Sequence, residues 1–243
     1  MRTVSLTRRR YVARATSSNK AATGQPNTLR IIGGQWRGRK LQFPDVPGLR
    51  PTADRVRETL FNWLQGWVLD EDCLDLFAGS GACGLEALSR GARSAVFVDA
   101  SRDASSSIQA HLSLLGAPQG RVVTATAEQW LGSFLTVADA FLTAAGTFPT
   151  AAGAFSTVTG ASATATAPRA TKFGLVFLDP PFAGQALAST AQQLEASGIL
   201  KPRALIYLES GQDLAAMPLP ANWTARKNLR AGAVYYGLYE RRA

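Results

Sequence analysis

Short apolar runs alternate with helical segments over most of this 243-residue chain. A strand followed by a helix and then by another strand is the repeating unit of a parallel sheet with helices on both faces. The pattern therefore predicts an α/β domain. The apolar runs occupy residues 73–77, 95–98, 122–124, 175–178 and 204–208, and helical stretches near 84–90, 102–115, 127–135 and 185–197 separate them.

The end of the chain departs from this alternation. Residues 223–229 and 234–239 have strand-like patterns, and residues 230–233 alone join them. A parallel pair needs a crossover connection of a dozen or more residues, and there is no room for one here. These two segments are therefore predicted to pair antiparallel.

A glycine-rich segment precedes the alternating part of the chain. Residues 29–43 have two short strand-like ends around a glycine-rich centre, which predicts a β-hairpin. After three prolines, Thr52 is predicted to cap a helix whose apolar residues recur at helical spacing as far as Trp67. We therefore expect a single domain over residues 29–243, in which residues 29–70 form an N-terminal hairpin and helix.

Composition narrows what such a domain can do. With 46% hydrophobic residues the chain can bury a core, and no apolar run is long enough to span a bilayer. Two cysteines and one histidine do not suffice for a Cys/His metal cluster, so we expect no metal, and Cys73, Cys83 and His111 are expected to be packing residues. The expected protein is soluble and cytoplasmic, and nothing in the sequence demands more than a monomer.

The basic charge is concentrated at the amino-terminal end. The formal net charge is +9, yet ten of the 26 Lys and Arg residues precede Asp45, which is the first acidic residue. Residues 1–28 have no apolar periodicity and are predicted to form a flexible basic extension, either a polyanion-binding arm or a solubilising tail. Residues 136–171 are rich in Ala and Thr and are predicted to form an insertion loop without a chemical role.

A glycine-rich turn follows the first predicted strand of the sheet. Gly79, Gly81 and Gly84 have the spacing of a dinucleotide-binding turn between a strand and a helix. The next strand ends at Asp99, whose carboxylate can accept hydrogen bonds from two ribose hydroxyls. Together they predict a ligand that contains a nucleoside. The alternative is a tight turn in which the glycines only pack against the sheet.

Asp75 distinguishes between two ligands of this kind. A carboxylate at the end of the first strand repels a pyrophosphate and attracts the ammonium group of S-adenosylmethionine (SAM). SAM is therefore the predicted cofactor. The residues expected to line its site are Asp75, Phe77, Ala78, Gly79, Ser80, Gly81 and Asp99, with Thr126 or Glu128 near the adenine.

The tetrapeptide Asp179-Pro180-Pro181-Phe182 follows the fourth apolar run and is typical of methyltransferases that act on amino groups. An exocyclic amine of a nucleobase is a poor nucleophile because its lone pair is delocalised into the ring. The Asp179 carboxylate and the Pro180 carbonyl can each accept one N–H, and the two prolines restrict the backbone that presents the carbonyl. Phe182 offers a stacking face for a base taken out of its helix. These four residues are the predicted catalytic residues, and a simple strand-ending turn is the alternative.

Five segments together resemble the RsmD family of bacterial methyltransferases, which modify N2 of one guanine in 16S small-subunit ribosomal RNA (rRNA). The resemblance implies a Rossmann-like class I SAM-dependent methyltransferase fold with a seven-stranded, mostly parallel sheet and an antiparallel last strand. It also implies SAM as cofactor and, as partner, 16S rRNA within a small-subunit ribosomal particle. The segments are residues 30–41, 48–62, 74–82, 84–90 and 179–182.

The same resemblance implies roles for the N-terminal part of the domain. Arg50 and Thr52 would border the cofactor, and the hairpin and the following helix would contact RNA. Two alternatives stay open: amino methylation of another RNA or DNA base such as adenine N6, or a basic RNA-binding assembly factor with a vestigial cofactor site. The residues implied to contact RNA are Arg30, Trp36, Arg37, Arg39, Lys40, Arg55 and Arg57.

Overall fold

The computed structural model describes residues 27–43, 54–134, 172–181 and 186–242. Its strands are β1 (Asn27–Arg30), β2 (Lys40–Phe43), β3 (Asp72–Asp75), β4 (Ser94–Asp99), β5 (Gly120–Thr124), β6 (Phe173–Leu178), β7 (Leu200–Ser210), β8 (Trp223–Ala231) and β9 (Val234–Arg241). Its helices are α1 (Asp54–Trp63), α2 (Ala82–Ser89), α3 (Arg102–Leu115), α4 (127–134) and α5 (Ala186–Ala196), with a short 3₁₀ helix at Leu214–Ala216.

Seven of the described strands form one sheet in the order β5-β4-β3-β6-β7-β9-β8. Strands β3 to β7 are parallel to one another, and β9 runs antiparallel to both β7 and β8. The predicted seven-stranded, mostly parallel sheet with an antiparallel last strand is confirmed. The strand order reverses between β3 and β6, and open α/β sheets bind ligands outside the carboxyl ends of the strands at such a point.

The sheet separates two hydrophobic cores, because successive residues of a strand point to opposite faces. In β6, Leu175 and Phe177 belong to the core that includes β1, β2, α1, α2 and α3, which we call the hairpin-side core. Val176 and Leu178 belong to the opposite core, which includes α4 and α5. Since β6 is buried on both faces, its sequence is continuously apolar, as is usual for strands of a parallel sheet.

The hairpin formed by β1 and β2 docks on α2 through its glycine-rich loop. The fully buried Glu86 carboxylate accepts hydrogen bonds from the N–H groups of Gly33 (2.7 Å) and of the residue before it (2.8 Å). The Ser89 hydroxyl accepts one from the Trp36 N–H (3.0 Å) and donates one to the Gly33 carbonyl (2.6 Å). Gly34 has a φ of +75°, and a Cβ there would overlap the Ser89 carbonyl. The two glycines therefore let the loop lie close to the end of α2.

Helix α1 packs on the hairpin side of the sheet, close to the end of β6. The ring centroids of Phe61 and Phe177 are 6.0 Å apart. Trp63, at the end of the helix, stacks on Tyr236 of β9 with 5.6 Å between the centroids and 19° between the planes. Helix α1 thus lies over β6 and β9, beside the strand end that carries Asp179.

Two predicted boundaries differ from the structure. Strand β1 begins at Asn27, so its first two residues fall inside the predicted extension of residues 1–28. Helix α1 ends before Trp67, the residue to which the helix was predicted to extend, because the chain turns at Gly66, which has a φ of +84°. The side chain of Trp67 is 38% exposed. The rest of the predicted extension and the whole predicted insertion of residues 136–171 lie outside the described residues.

Candidate active site

The turn after β3 contains three glycines, and the structure shows why each of these positions requires glycine. Gly79 (φ +52°) and Gly81 (φ +77°) have left-handed backbone conformations, which favour glycine. Gly81 precedes α2 and donates a hydrogen bond to the Ala78 carbonyl over 2.6 Å. A Cβ at Gly84 would overlap the ring of Phe97 on β4. Two glycines therefore shape the turn, and the third lets α2 pack closely on the sheet.

Asp99, the last residue of β4, lies against this turn. Its carboxylate accepts hydrogen bonds from the backbone N–H groups of Gly79 (2.7 Å) and Ser101 (2.8 Å). The side chain is half-buried at the carboxyl edge of the sheet. An ionised carboxylate has about four lone-pair positions, so two donors leave capacity for the hydroxyl groups of a ligand.

Asp75, the last residue of β3, is buried beneath the same turn. It accepts a hydrogen bond from the Gly84 N–H over 3.0 Å. Burial raises the pKa of Asp75 to about 7, the Gly84 hydrogen bond opposes this, and the negative charge of Asp99 adds to it. A cationic group placed beside Asp75 favours its ionised form. The site therefore fits the ammonium group of an amino-acid ligand.

Three further predicted cofactor residues belong to the same turn. The Ala78 N–H donates to the Val98 carbonyl over 3.0 Å, which joins the turn to the end of β4. Phe77 is half-buried and packs against the opposite core, and Ser80 is buried. The turn thus presents mostly backbone at the edge of the sheet, where a nucleoside can approach closely.

The predicted adenine contacts have a different local environment. Thr126 starts α4 with a reciprocal cap: its hydroxyl accepts from the Gln129 N–H (3.2 Å), and its N–H donates to the Gln129 side-chain oxygen (3.1 Å). Glu128 is exposed on the first turn of that helix. Arg50 and Thr52, also predicted to border the cofactor, lie outside the described residues.

The predicted catalytic tetrapeptide begins directly after β6. Asp179 is half-buried, Pro180 is buried and Pro181 is exposed, whereas Phe182 lies outside the described residues. The carbonyl of Phe177, the second-last residue of β6, accepts a hydrogen bond from the backbone N–H of the residue after Asp75 over 3.1 Å. The end of β6 is thereby tied to the beginning of the glycine turn, so the two predicted motifs are neighbours.

The neighbouring strand β7 carries a pair of buried polar side chains that were not among the predicted site residues. The Tyr207 hydroxyl donates to the Glu209 carboxylate over 2.9 Å, and both side chains are buried. Burial raises the pKa of Glu209. The predicted apolar run ended at residue 208, and the only signal in the sequence was an acid directly after that run, as Asp99 and Asp179 also follow theirs.

Most residues expected to contact RNA lie on the surface. Arg30, Arg37, Arg39 and Lys40 of the hairpin are exposed, and so is Arg55 on α1. Exposed cations of this kind are suited to contacts with phosphate groups.

Trp36 and Arg57 differ from this group, because the fold buries both. Trp36 is 8% exposed and packs in the hairpin-side core. Arg57 is 0% exposed, and its Nη2 donates to the Arg30 carbonyl (2.6 Å) and to Asp54 (2.8 Å). Arg57 therefore joins α1 to the hairpin. The expectation of direct RNA contact does not fit either side chain in this structure.

The other reactive side chains are used for packing. Cys73 and Cys83 are buried, and burial raises the pKa of both thiols. The His111 Nε2 lies 2.8 Å from the Gln42 carbonyl and links α3 to β2. Over the described parts of the chain, no three His, Cys, Asp or Glu residues are grouped so that they could hold a metal ion, and no helix is long and apolar enough to cross a membrane.

The sheet order, the reversed strand β9 and the glycine turn at the carboxyl edge define a Rossmann-like fold of the class I SAM-dependent methyltransferases. Residues 29–139 and 151–240 match the model of the family described as Conserved hypothetical protein 95. The chain therefore belongs to this family, the RsmD family.

Individual relatives agree with this assignment. The chain is 42% identical over 225 residues to ribosomal RNA small subunit methyltransferase D of Escherichia coli K12, covering 93% of this chain and 94% of the relative. It is 35% identical over 214 residues to the protein of the same name from Haemophilus influenzae, covering 87% and 93%. The solved structure of yhhF from Escherichia coli matches with a TM-score of 0.70 and 42% identity, covering 89% of this chain and 99% of that one.

Proposed function

We propose that this protein transfers a methyl group from SAM to the exocyclic N2 of a specific guanine in 16S small-subunit rRNA. The observation that carries the proposal is the position of Asp179 and Pro180 directly after β6, tied by a hydrogen bond to the beginning of the glycine turn. An acceptor pair for an amine thus lies beside a turn suited to a nucleoside. The curated relatives named above are small-subunit rRNA methyltransferases, which supports the choice of substrate.

The residues that would hold SAM are those of the glycine turn, together with Asp75 at the end of β3 and Asp99 at the end of β4. The buried Asp75 fits the ammonium group, Asp99 fits the ribose hydroxyls, and Gly79 and Gly81 leave room for the ligand to approach the backbone. SAM, when bound, supplies an electrophilic methyl group on a sulfonium, so that attack by an amine forms the N–C bond, breaks the C–S bond and leaves an N–H proton to be lost.

The end of β6 would prepare the amine for this attack. The Asp179 carboxylate and the Pro180 carbonyl each accept a hydrogen bond from one N–H of the amino group. These two hydrogen bonds draw the lone pair of the nitrogen out of conjugation with the ring. Because the prolines restrict the backbone, the carbonyl is oriented before the base arrives, and the acceptors need no reorganisation during the reaction. Asp179 also stabilises the positive charge that develops on the nitrogen.

The exposed cations of the hairpin and α1 would hold the rRNA. Arg30, Arg37, Arg39, Lys40 and Arg55 can contact phosphates, which position a nucleic acid without reading its bases. The partner is 16S rRNA within a small-subunit ribosomal particle, bound by a monomer of this protein.

The test uses small subunits that lack the modification. The purified protein is incubated with them and with SAM labelled in the methyl group, and the rRNA is then digested and its nucleosides are identified by mass spectrometry. We expect label in N2-methylguanosine at one position. Label in N6-methyladenosine or in another base would reject guanine N2 as the target, and absence of label in rRNA would reject the proposed function.

A further inference from the structure

Glu209 is a buried carboxylate at the same edge of the sheet as the proposed catalytic residues. It is 7% exposed, and its neighbour Tyr207 is 0% exposed. The Tyr207 hydroxyl, 2.9 Å away, is the one hydrogen-bond donor to this carboxylate among the described residues. Within the same residues no Lys or Arg forms an ion pair with it, although burying an uncompensated carboxylate is costly.

The strand register puts Glu209 beside Asp179. Leu178, the last residue of β6, is paired with Leu208 of the parallel strand β7, so the next residues along the chain are Asp179, directly after β6, and Glu209 on β7. Neighbouring strands are about 4.8 Å apart. The two acidic residues therefore follow directly on a pair of residues that are neighbours in the sheet.

Both acids lie on the hairpin side of the sheet. Tyr207, two residues before Glu209 on β7, belongs to the hairpin-side core, and side chains two residues apart on a strand share a face. Phe177, two residues before Asp179 near the end of β6, belongs to the same core. Burial is the main cause of the raised pKa of Cys83, a residue of that core. The negative charges of Asp75, Asp179 and Glu209 add to it and the positive charge of Arg57 opposes it, which agrees with three acids close to one buried thiol.

Glu209 has one neighbouring chain segment on each side in the sheet. On the next strand, β9, it is paired with Tyr236, whose ring is covered by the stacked indole of Trp63. The other lateral neighbour is the strand end that carries Asp179. The glycine turn lies one strand further along, on β3. Glu209 is thus next to the proposed amine site, on the side away from the proposed cofactor.

We propose that Glu209 determines specificity for guanine by accepting a hydrogen bond from N1–H of the target base, and that Tyr207 is a positioning residue that orients the carboxylate. This inference rests on the proposed function. Guanine carries N1–H directly beside its 2-amino group, so adjacent carboxylates can accept from both. Adenine has a lone pair at N1, which a carboxylate repels.

The test compares two bases that share the 2-amino group. Small-subunit particles are reconstituted from rRNA in which the methylated guanine is kept or replaced, by splinted ligation, with 2,6-diaminopurine, whose N1 is an acceptor. We expect the wild-type protein to prefer guanine by roughly 10- to 100-fold in kcat/KM. In Glu209→Gln the amide can accept from N1–H or donate to N1, so the preference is expected to fall to within about threefold of parity.

Matched variants separate specificity from folding. Glu209→Asp keeps a carboxylate and is expected to retain the preference at a lower rate, and Tyr207→Phe is expected to reduce the preference partly. Glu195→Gln changes a half-buried carboxylate on α5 that pairs with Arg241, and it is expected to retain the wild-type preference. Binding of S-adenosylhomocysteine, measured by titration calorimetry, is expected to be unchanged in all four variants.

Two results would overturn the inference. Parity between the two bases in the wild-type protein would do so without any variant, and so would a Glu209→Gln protein that binds S-adenosylhomocysteine normally and keeps the full preference for guanine. In both cases guanine N2 is still methylated, so the proposed function survives. A wild-type protein that methylates no guanine would instead reject both proposals together.

Discussion

The Gly79 backbone N–H donates to the Asp99 carboxylate over 2.7 Å, which joins the glycine turn to the end of the neighbouring strand. The bond fixes the carboxylate at the edge of the sheet before any ligand is present. It also shows why an acid at position 99 matters to the shape of the turn as well as to its charge. Replacement of this acid should therefore change ligand binding more than the loss of one surface charge does.

Asp99→Ala is expected to weaken binding of S-adenosylhomocysteine about 100-fold, because hydrogen bonds to a charged group contribute about 1.5–3 kcal/mol each. Titration calorimetry measures the change. Asp103→Ala removes an exposed acid from the first turn of α3 and is the matched control, with an expected change of less than threefold. Equal affinities for the two variants would contradict the ribose-binding role of Asp99.

Asp179→Ala is expected to lower kcat for methyl transfer about 1,000-fold, in the range found when one preorganised polar group is removed from an active site. Binding of S-adenosylhomocysteine should persist, because the proposed role of this carboxylate is to hold the amine and not the cofactor. Asp179→Asn keeps one oxygen acceptor and should retain more activity than Asp179→Ala. Near-normal single-turnover rates in Asp179→Ala would show that this carboxylate does not hold the amine.

Affinity for S-adenosylhomocysteine is expected to rise as the pH increases from 6 to 8. The pKa of Asp75 is raised to about 7 by burial, so the free protein is largely protonated there at pH 6 and ionised at pH 8. A ligand ammonium favours the ionised form, and binding near pH 7 therefore releases a proton. Calorimetry in buffers of different ionisation enthalpy measures that release, and Asp75→Asn should abolish it. The negative charge of Asp99 contributes to the raised pKa of Asp75, so Asp99→Asn is expected to lower that pKa.

Asp75 also makes the free energy of unfolding depend on pH. This free energy is expected to fall as the pH rises, whereas the affinity for S-adenosylhomocysteine increases. Its folded-state pKa is raised above the unfolded value of 3.8, so the folded protein binds more protons than the unfolded chain between pH 4 and 7. The contribution of Asp75 to the free energy of unfolding therefore decreases as the pH rises through this window. Asp75→Asn should be more stable than the wild type at pH 8 and gain less at pH 5, as measured by urea unfolding. A constant difference between the two proteins would contradict the raised pKa.

Gly34→Ala is expected to destabilise the protein by about 3 kcal/mol, because its Cβ would overlap the Ser89 carbonyl at a position with φ +75°. Gly38→Ala is the matched control. Its φ is +82°, but a Cβ there meets no atom within 4 Å, so only the cost of the left-handed conformation, about 1 kcal/mol, is expected. Urea unfolding measures both. Equal losses would show that the loop does not depend on close contact with α2.

Arg37→Ala and Arg39→Ala are each expected to weaken rRNA binding and to reduce the slope of log K against log salt concentration by about 1, because one phosphate contact is lost. Arg121→Ala, an exposed cation on β5 at the far edge of the sheet, is the control and should leave the slope unchanged. Filter binding at several salt concentrations measures the slopes. An unchanged slope in both hairpin variants would place the RNA elsewhere.

Periodicity predicted the elements of the sheet well because the central strands β3 and β6 are buried on both faces, whereas a helix such as α3 buries only part of its residues. The segment 102–115 coincides with α3, which begins with a Ser101 cap and ends at the left-handed Gly116. The antiparallel pairing of β8 and β9 followed from the shortness of their connection. These features depend on local sequence, which is why they could be predicted.

Features that depend on contacts between distant segments were predicted poorly. Arg57 has the same charge as Arg55 two residues away, and only the docking of the hairpin decides that one is buried and the other exposed. Trp36 is buried for the same reason. Glu209 was not predicted as a site residue because Asp179 is 30 positions away in the sequence and comes close to it only through the pairing of β6 with β7.

Helix α2 begins at the glycine turn and ends where Glu86 and Ser89 hold the hairpin loop. Its residues, at 1.5 Å each, make a rod about 12 Å long. One end of this rod supports the cradle assigned to the methyl donor, and the other end anchors the surface assigned to the nucleic acid. The two assigned binding surfaces therefore share one short helix as their common support.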